Sequence, residues 1–94
     1  MPGYFYLLRL KSGKLYPGAT TDLSRRWNEH VMGTACRTTK HDPPAAMVYS
    51  EECATFAEAR RREAQVKHWT RAKKEALVAG NTSLLHDLAK RRRR

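Results

Sequence analysis

The sequence predicts an α+β fold in which a small three-stranded antiparallel sheet is flanked by helices. Two observations lead to this fold class. Three short apolar segments lie within the first 50 residues, and helical patterns with capping signals fill most of the remainder. A chain of 94 residues suffices for one modest hydrophobic core, so we expect a single domain over residues 1–94.

The first two strands form a predicted hairpin. Gly3–Leu10 is apolar and aromatic on both faces, as a buried central strand should be. Residues 11–14 are a polar turn that contains a glycine, and residues 15–18 resume the apolar pattern. Because Pro17 lacks an amide donor, we expect this second strand to be short or bulged. A short third strand is predicted over residues 47–49.

The first helix follows the hairpin. Thr21 or Asp22 can cap its amino terminus, and the helix is predicted to end near Met32, just before Gly33. Residues 34–45 are polar and contain two consecutive prolines, so they are predicted to form a loop.

Three further helices are predicted in the second half of the chain. Thr55 and Glu58 fit the capping-box pattern at the start of a helix over residues 55–69. A helix over residues 70–80 is followed by a last one over residues 83–90, within a C-terminal helix and basic tail that occupies residues 82–94.

The charge of the chain indicates a polyanionic partner. Nineteen Lys and Arg residues against nine Asp and Glu residues give a net charge of +10, and removing the four C-terminal arginines lowers it only to +6. Such self-repulsion is usually tolerated for contact with nucleic acid. No apolar stretch approaches the 20 or so residues of a membrane span, and two cysteines without CxxC spacing do not indicate a disulfide framework. We therefore expect a cytoplasmic, monomeric, nucleic-acid-binding protein.

Helical phase selects two residues of the first helix. At about 100° per residue, Arg26 and His30 fall on the side of Leu23 and Trp27, whereas Arg25 points away. A helix that only packs would carry apolar residues at these two positions. The pattern leaves two interpretations open: Arg26 and His30 lie at the rim and reach water, or they belong to a functional site.

Glu63 presents the same anomaly on the helix over residues 55–69. It lies in the middle of the apolar stripe, which consists of Phe56, Ala59 and Val66. A carboxylate that faces a core is costly unless it is paired, protonated or bound to a cation. One alternative is an ion pair with a basic group such as Arg26, and the other is a metal ligand of the kind that Mg²⁺ uses. Arg60 and Lys67, one turn to either side, would then contact the phosphate backbone.

Together these residues have the chemistry to cleave a phosphodiester. A hydrolase of this kind needs a base for water, a cation for the developing charge, and a metal or an acid for the leaving oxygen. The candidates are Tyr6, Tyr16, Arg26, His30 and Glu63.

The sequence resembles the GIY-YIG nucleases. Residues 4–6 (YFY) and 16–18 (YPG) resemble the two tripeptides that give this family its name. Tyr6, Tyr16 and Arg26 stand at ten-residue steps, which is similar to the spacing in the family, and Glu63 stands where the small stand-alone members carry a glutamate. The likeness covers about residues 4–79, and it extends to residues 15–30, 48–51 and 71–77.

The resemblance implies a fold, a cofactor and a set of roles. It implies a DNA endonuclease with a GIY-YIG-like fold, in which Glu63 binds Mg²⁺ or Mn²⁺ and Arg26 stabilises the charge at phosphorus. The identity of the general base stays open between Tyr6, Tyr16 and His30, with a tyrosine assisted by the histidine as the favoured interpretation.

Substrate contacts are predicted in the polar loop and beside the first helix. Arg37, Thr39 and Lys40 carry polar donors suited to a DNA strand, and Arg25 faces away from the helix core. A merely solvated loop is the alternative. A small domain contacts few base pairs, so single-stranded or branched DNA is the expected substrate.

Two other functions remain open on the sequence alone. One is a catalytically inactive GIY-YIG-fold module that binds nucleic acid. The other is a ribosomal or RNA-chaperone protein, which charge alone would support and which predicts no dependence on metal.

Overall fold

Residues 1–80 are described in a computed structural model of the chain, and the predicted helix over residues 83–90 and the basic run lie outside the described residues. None of the helices within residues 1–80 is long and apolar enough to cross a membrane. The elements of this part, in chain order, are β1 (Gly3–Leu10), β2 (Leu15–Thr20), α1 (Leu23–Val31), α2 (Arg37–His41), β3 (Pro44–Cys53), α3 (Phe56–Lys67) and α4 (Arg71–Ala79).

The three strands form one antiparallel sheet in the order β2-β1-β3. The prediction that β1 is the central strand is confirmed. Its side chains supply both halves of the core: Phe5 and Leu7 pack with Val66 of α3 and Leu77 of α4, whereas Leu8 belongs to the opposite cluster against α1. The sheet is therefore covered by α1 on one face and by α3 and α4 on the other.

β2 is an edge strand of the sheet. It is six residues long, and its register with β1 runs without a shift from Thr20, opposite Tyr4, to Leu15, opposite Arg9. Pro17 fits because an edge strand has one side that needs no amide donor. The expected shortening or bulging at this residue does not occur.

The segment between α1 and α3 differs most from its prediction. The predicted loop over residues 34–45 contains the five-residue helix α2, and β3 spans ten residues rather than three. Two register shifts, after Leu7 and after Arg9 of β1, interrupt the pairing of β3. Such bulges break the two-residue alternation by which a strand is identified, so the sequence shows only the central part of β3.

The predicted helix starts are confirmed by their caps. Asp22, Thr55 and Thr70 each accept a hydrogen bond, of 3.0, 3.2 and 3.2 Å respectively, from the amide three residues further along the chain. Gly80 ends α4 with a φ of 72°, a left-handed conformation that glycine adopts without steric cost.

Two arginines fasten the helices to the sheet. Arg62 of α3 donates a 2.8 Å hydrogen bond to Glu51 of β3 and lies 5.1 Å from the ring centroid of Trp69. Arg9 of β1 makes two hydrogen bonds to Glu75 of α4, at 2.5 and 2.6 Å. These contacts hold α3 and α4 against one face of the sheet, so that α3 lies beside the edge strand β2.

Candidate active site

A cavity of about 430 Å³ opens where β2, α1 and α3 meet. Its walls combine tyrosine hydroxyls, three arginines and one carboxylate with a single large apolar side chain. It is lined by Tyr6, Tyr16, Gly18, Ala19, Thr20, Thr21, Arg25, Arg26, Phe56, Arg60 and Glu63. Four of the five predicted catalytic residues line it, and the fifth, His30, lies behind it.

Tyr6 occupies the floor of the cavity because its neighbour on β2 is a glycine. Tyr6 pairs with Gly18 in the sheet and is only 1% exposed. A Cβ atom on Gly18 would overlap the Cζ and Oη atoms of Tyr6. The glycine of the segment 16–18 is therefore required by the close approach of the tyrosine ring to the β2 backbone.

The Tyr6 hydroxyl joins two groups of α1. Its oxygen lies 2.7 Å from Nε2 of His30, and it accepts a 3.4 Å hydrogen bond from Nε of Arg26. Burial raises the pKa of Tyr6 above its usual value, although the Arg26 guanidinium acts in the opposite direction. At neutral pH the hydroxyl is therefore protonated, and it has a proton to donate.

His30 is fully buried and uses both ring nitrogens. While Nε2 faces Tyr6, Nδ1 lies 2.9 Å from the Thr39 hydroxyl. Burial, reinforced by the positive charge of Arg26, lowers the pKa of His30 to about 4. The imidazole is thus neutral at pH 7, with one ring nitrogen as donor and the other as acceptor.

The prediction that Thr39 contacts the substrate is wrong. Thr39 is 1% exposed, lies on α2 and hydrogen-bonds His30, so it cannot reach DNA as the loop prediction required. The Sγ atom of Cys36 lies 3.4 Å from its hydroxyl. Burial alone would raise the pKa of the Cys36 thiol, but hydrogen bonds with Thr39 and Tyr16 hold it below its usual value. The sequence indicates Thr39 only as a DNA contact, and it does not indicate that Thr39 hydrogen-bonds His30 or that Cys36 lies beside Thr39.

Tyr16 closes the other end of this chain of contacts. Its ring centroid is 5.6 Å from that of His30, in an edge-on arrangement. Burial, followed by the influence of the neighbouring Cys36 thiol, raises the pKa of Tyr16 strongly. Tyr16 is therefore a neutral phenol that lines the cavity beside Tyr6.

The helical-phase prediction for α1 is confirmed for both inward residues. Arg26 reaches Tyr6 and also forms an ion pair with Glu29, at 3.3 Å. The ion pair between Arg26 and Glu63 that the sequence left open is not formed. Arg25 is exposed, yet it lines the rim of the same cavity.

Glu63 lines the cavity from α3. Within residues 1–80 its carboxylate has no hydrogen bond and no ion pair, and Arg60 lines the same wall. No group of three or more His, Cys, Asp and Glu side chains that could hold a metal occurs in this part of the chain. A single carboxylate completed by water and a phosphate oxygen suits Mg²⁺, so Glu63 fits the metal that the resemblance implies.

The remaining predicted contacts lie outside the cavity. The side chains of Arg37, Lys40 and Lys67 are exposed but belong to none of its walls. Their contacts with DNA stay predictions. Phe56, which the sequence assigns to the packed stripe of α3 with Ala59 and Val66, is instead 38% exposed at the cavity.

Comparison with known proteins decides the family. The model of the GIY-YIG catalytic domain matches residues 2–76. The chain belongs to the GIY-YIG family. Nucleases of this family act on nucleic acid and generally use divalent metal ions.

The relatives of this GIY-YIG chain are small proteins of similar length. A UPF0213 protein of Xanthomonas axonopodis pv. citri is 36% identical over 86 residues, covering 92% of this chain and 84% of the relative. The solution NMR structure of the UPF0213 protein BH0048 from Bacillus halodurans shares 38% identity, covers 86% of both chains and superposes with a TM-score of 0.55. That of the protein EF2693 from E. faecalis shares 36% identity over 85% of both chains, with a TM-score of 0.58. The predicted family and fold class are confirmed.

Proposed function

We propose that this chain is a divalent-metal-dependent endonuclease that hydrolyses DNA phosphodiester bonds, with single-stranded or branched DNA as the preferred substrate. The observation that carries the proposal is the Tyr6 hydroxyl, held between Arg26 and His30 in a cavity that Glu63 lines from another helix. This arrangement supplies a proton acceptor, a cation and a carboxylate around one space large enough for a phosphodiester.

The cavity is built to attract a phosphate. Arg25, Arg26 and Arg60 line it against the single carboxylate of Glu63, so its walls carry excess positive charge. Arg26 is the guanidinium nearest the Tyr6 hydroxyl, and its own position is fixed by Glu29. It is therefore placed to stabilise the additional negative charge that develops on the phosphate oxygens during attack.

The buried pair of Tyr6 and His30 provides a path for the proton of water. When the His30 proton is on Nδ1, this nitrogen donates a hydrogen bond to the Thr39 hydroxyl. The other nitrogen, Nε2, then accepts a hydrogen bond from the Tyr6 hydroxyl. As water attacks phosphorus, its proton passes to the Tyr6 oxygen while the Tyr6 proton passes to Nε2, and the bond to the 3′ oxygen breaks. No tyrosinate is needed, which suits a tyrosine whose pKa is raised.

This arrangement favours Tyr6 over His30 as the group that meets the water. His30 is fully buried and lies behind Tyr6, so it acts through the tyrosine and not directly. Tyr16 lacks a hydrogen bond to His30 and instead frames the cavity beside Tyr6. We therefore assign the contact with water to Tyr6, the relay of its proton to His30 and the framing of the cavity to Tyr16, as part of the proposal.

Glu63 is the residue that would hold Mg²⁺ or Mn²⁺. When bound, the metal supplies positive charge for the phosphate and for the departing oxygen. Glu63 contributes a carboxylate that no basic residue within residues 1–80 neutralises, so it can be given to a cation.

A cleavage panel tests the function. Labelled single-stranded, duplex and flap DNA are incubated with wild-type protein and with Glu63→Ala, each with Mg²⁺, with Mn²⁺ and with chelator. We expect cutting of single-stranded and flap DNA by the wild type with metal only, and none by Glu63→Ala, while DNA affinity changes no more than a few-fold. Binding without cleavage by the wild type under every condition would instead identify an inactive nucleic-acid-binding module.

A further inference from the structure

One face of α3 presents three different chemistries to the cavity. Phe56, Arg60 and Glu63 stand at positions i, i+4 and i+7, so they follow one another along a single side of the helix. At 1.5 Å per residue, Arg60 lies about 6 Å and Glu63 about 10 Å along the helix axis from Phe56. An aromatic ring, a guanidinium and a carboxylate thus line one wall in that order.

Phe56 is an exception within its own stripe. Ala59 and Val66 are fully buried against the sheet, whereas the Phe56 ring is 38% exposed and lines the cavity. A Phe ring that served only to stabilise the fold would be buried in the core, where more of its apolar surface is removed from water. An exposed aromatic side chain in a basic cavity is the arrangement by which proteins stack unpaired bases.

The backbone that carries this ring packs closely against β1. The start of α3 lies so close to β1 that a Cβ atom on Gly3 would come within 2.5 Å of the Phe56 Cα and 2.8 Å of the Thr55 carbonyl oxygen. Arg60 places its guanidinium carbon 5.9 Å from the ring centroid. The backbone at Phe56 is therefore already held in place, so a ligand that stacks on the ring needs to order only the side chain.

We propose that Phe56 is a stacking platform for one unpaired nucleobase, next to the phosphate at which the cavity acts. Arg60, between the ring and Glu63, contacts the phosphate of that nucleotide. A base within an intact duplex has both faces covered by its neighbours, so this platform accepts only a base that is unpaired or has left the stack. The inference rests on the proposed nuclease function and narrows its substrate to DNA with an unpaired nucleotide at the cleaved position.

Fluorescence of 2-aminopurine tests the platform without any cleavage. Single-stranded oligonucleotides that carry this base at successive positions are bound in chelator to the wild type and to Phe56→Leu, Phe56→Tyr and Met32→Ala. Met32 is the matched control, because it is 76% exposed but does not line the cavity. We expect quenching at one position with the wild type, with Phe56→Tyr and with the control, and its loss with Phe56→Leu.

Affinity is measured in parallel on duplex DNA. If Phe56 stacks on one base, Phe56→Leu should bind single-stranded DNA roughly 5- to 150-fold more weakly than the wild type. Its affinity for duplex DNA should not change. Unchanged single-strand affinity and quenching in Phe56→Leu, or an equal loss on duplex DNA, would overturn the platform. A wild type that shows Phe56-dependent quenching but cuts no DNA with metal would overturn the nuclease function and leave the platform standing.

Discussion

Tyr6 and His30 are each a poor base when taken alone. Burial raises the pKa of the tyrosine, so its hydroxyl stays protonated at neutral pH. Burial also lowers the pKa of the histidine to about 4, which makes the imidazole a weak base. They are joined by a 2.7 Å hydrogen bond, and in the proposed mechanism the proton of water enters at Tyr6 while the Tyr6 proton moves to His30. The proposed reactivity therefore depends on both residues together.

The buried state of His30 predicts how stability depends on pH. Its pKa is about 4 in the folded protein and about 6.5 in the unfolded chain, so between these values the unfolded state binds the extra proton. The contribution of neutral His30 to the free energy of unfolding is complete above pH 6.5 and is lost as the pH falls toward 4. It amounts to about 3 kcal/mol in total, of which about 2 kcal/mol should be lost by pH 5.

Urea unfolding at pH 7 and pH 5 measures this contribution. His30→Gln, which keeps one donor and one acceptor, should show a much smaller difference between the two pH values than the wild type. The pKa of Glu75 is lowered by its hydrogen bonds from Arg9, so its contribution to stability is present at both pH 7 and pH 5 and is lost mainly below this range. Equal differences in the two proteins would mean that His30 is not buried in its neutral form.

We expect Thr39 to act as a positioning residue for His30, because its hydroxyl lies 2.9 Å from Nδ1 of the ring. In Thr39→Val the Nδ1 atom loses its partner, so the ring should move its proton to Nε2 and reverse the hydrogen bond to Tyr6. We expect kcat to fall roughly tenfold with KM unchanged, since one hydrogen bond of this kind corresponds to about 1–1.5 kcal/mol. The ¹⁵N shifts of the imidazole report the tautomer directly. Thr39→Ser should restore both, and an unaltered tautomer in Thr39→Val would contradict the assignment.

Sequence patterns reveal some of these residues and conceal others. Arg26, His30 and Glu63 stand out because each is polar at a position where helical phase predicts an apolar side chain. Thr39 and Cys36 carry no such signal, because a five-residue polar helix is too short for a period to be visible. Their role depends on contacts that only the folded chain creates.

At the scale of elements, α1 places two adjacent arginines in different positions at the cavity. Arg26 reaches the Tyr6 hydroxyl, whereas Arg25 is exposed at the cavity rim. Arg26→Ala should lower kcat by about 100-fold or more, because it removes charge stabilisation at the reacting phosphate. Arg25→Ala should act mainly on DNA affinity. Single-turnover cleavage at saturating DNA separates the two effects, and equal rates in the two variants would mean that α1 does not orient them differently.

Among the elements, those with capped ends and regular spacing are predicted well. β1, α1 and α4 were identified because apolar patterns, capping residues and Gly80 mark them locally. For β3 the sequence predicts only residues 47–49, because the bulges interrupt the alternation of apolar and polar residues by which a strand is identified. For α3, helical phase indicates the side that faces the sheet, but it cannot show that a cavity opens beside the first turn, so the sequence places Phe56 in the core.

At the scale of the whole molecule, positive charge is spread well beyond the cavity. The basic run over residues 91–94 lies outside the described residues, and its role stays a prediction from the sequence. Its deletion should weaken binding to all DNA sequences alike and leave turnover at saturating DNA unchanged. If two to four phosphate contacts are lost, the slope of log affinity against log salt should fall by about 1.4–2.8 on single strands. An unchanged slope would assign the run to solubility alone.

The central claim is that the Tyr6 hydroxyl takes the proton of the attacking water. Tyr6→Phe keeps the ring over Gly18 and removes only the oxygen that joins Arg26 to His30. Single-turnover cleavage of a single-stranded oligonucleotide with Mg²⁺ should slow by about 100-fold or more in this variant, with DNA affinity unchanged. Cleavage by Tyr6→Phe at the wild-type rate would contradict the account.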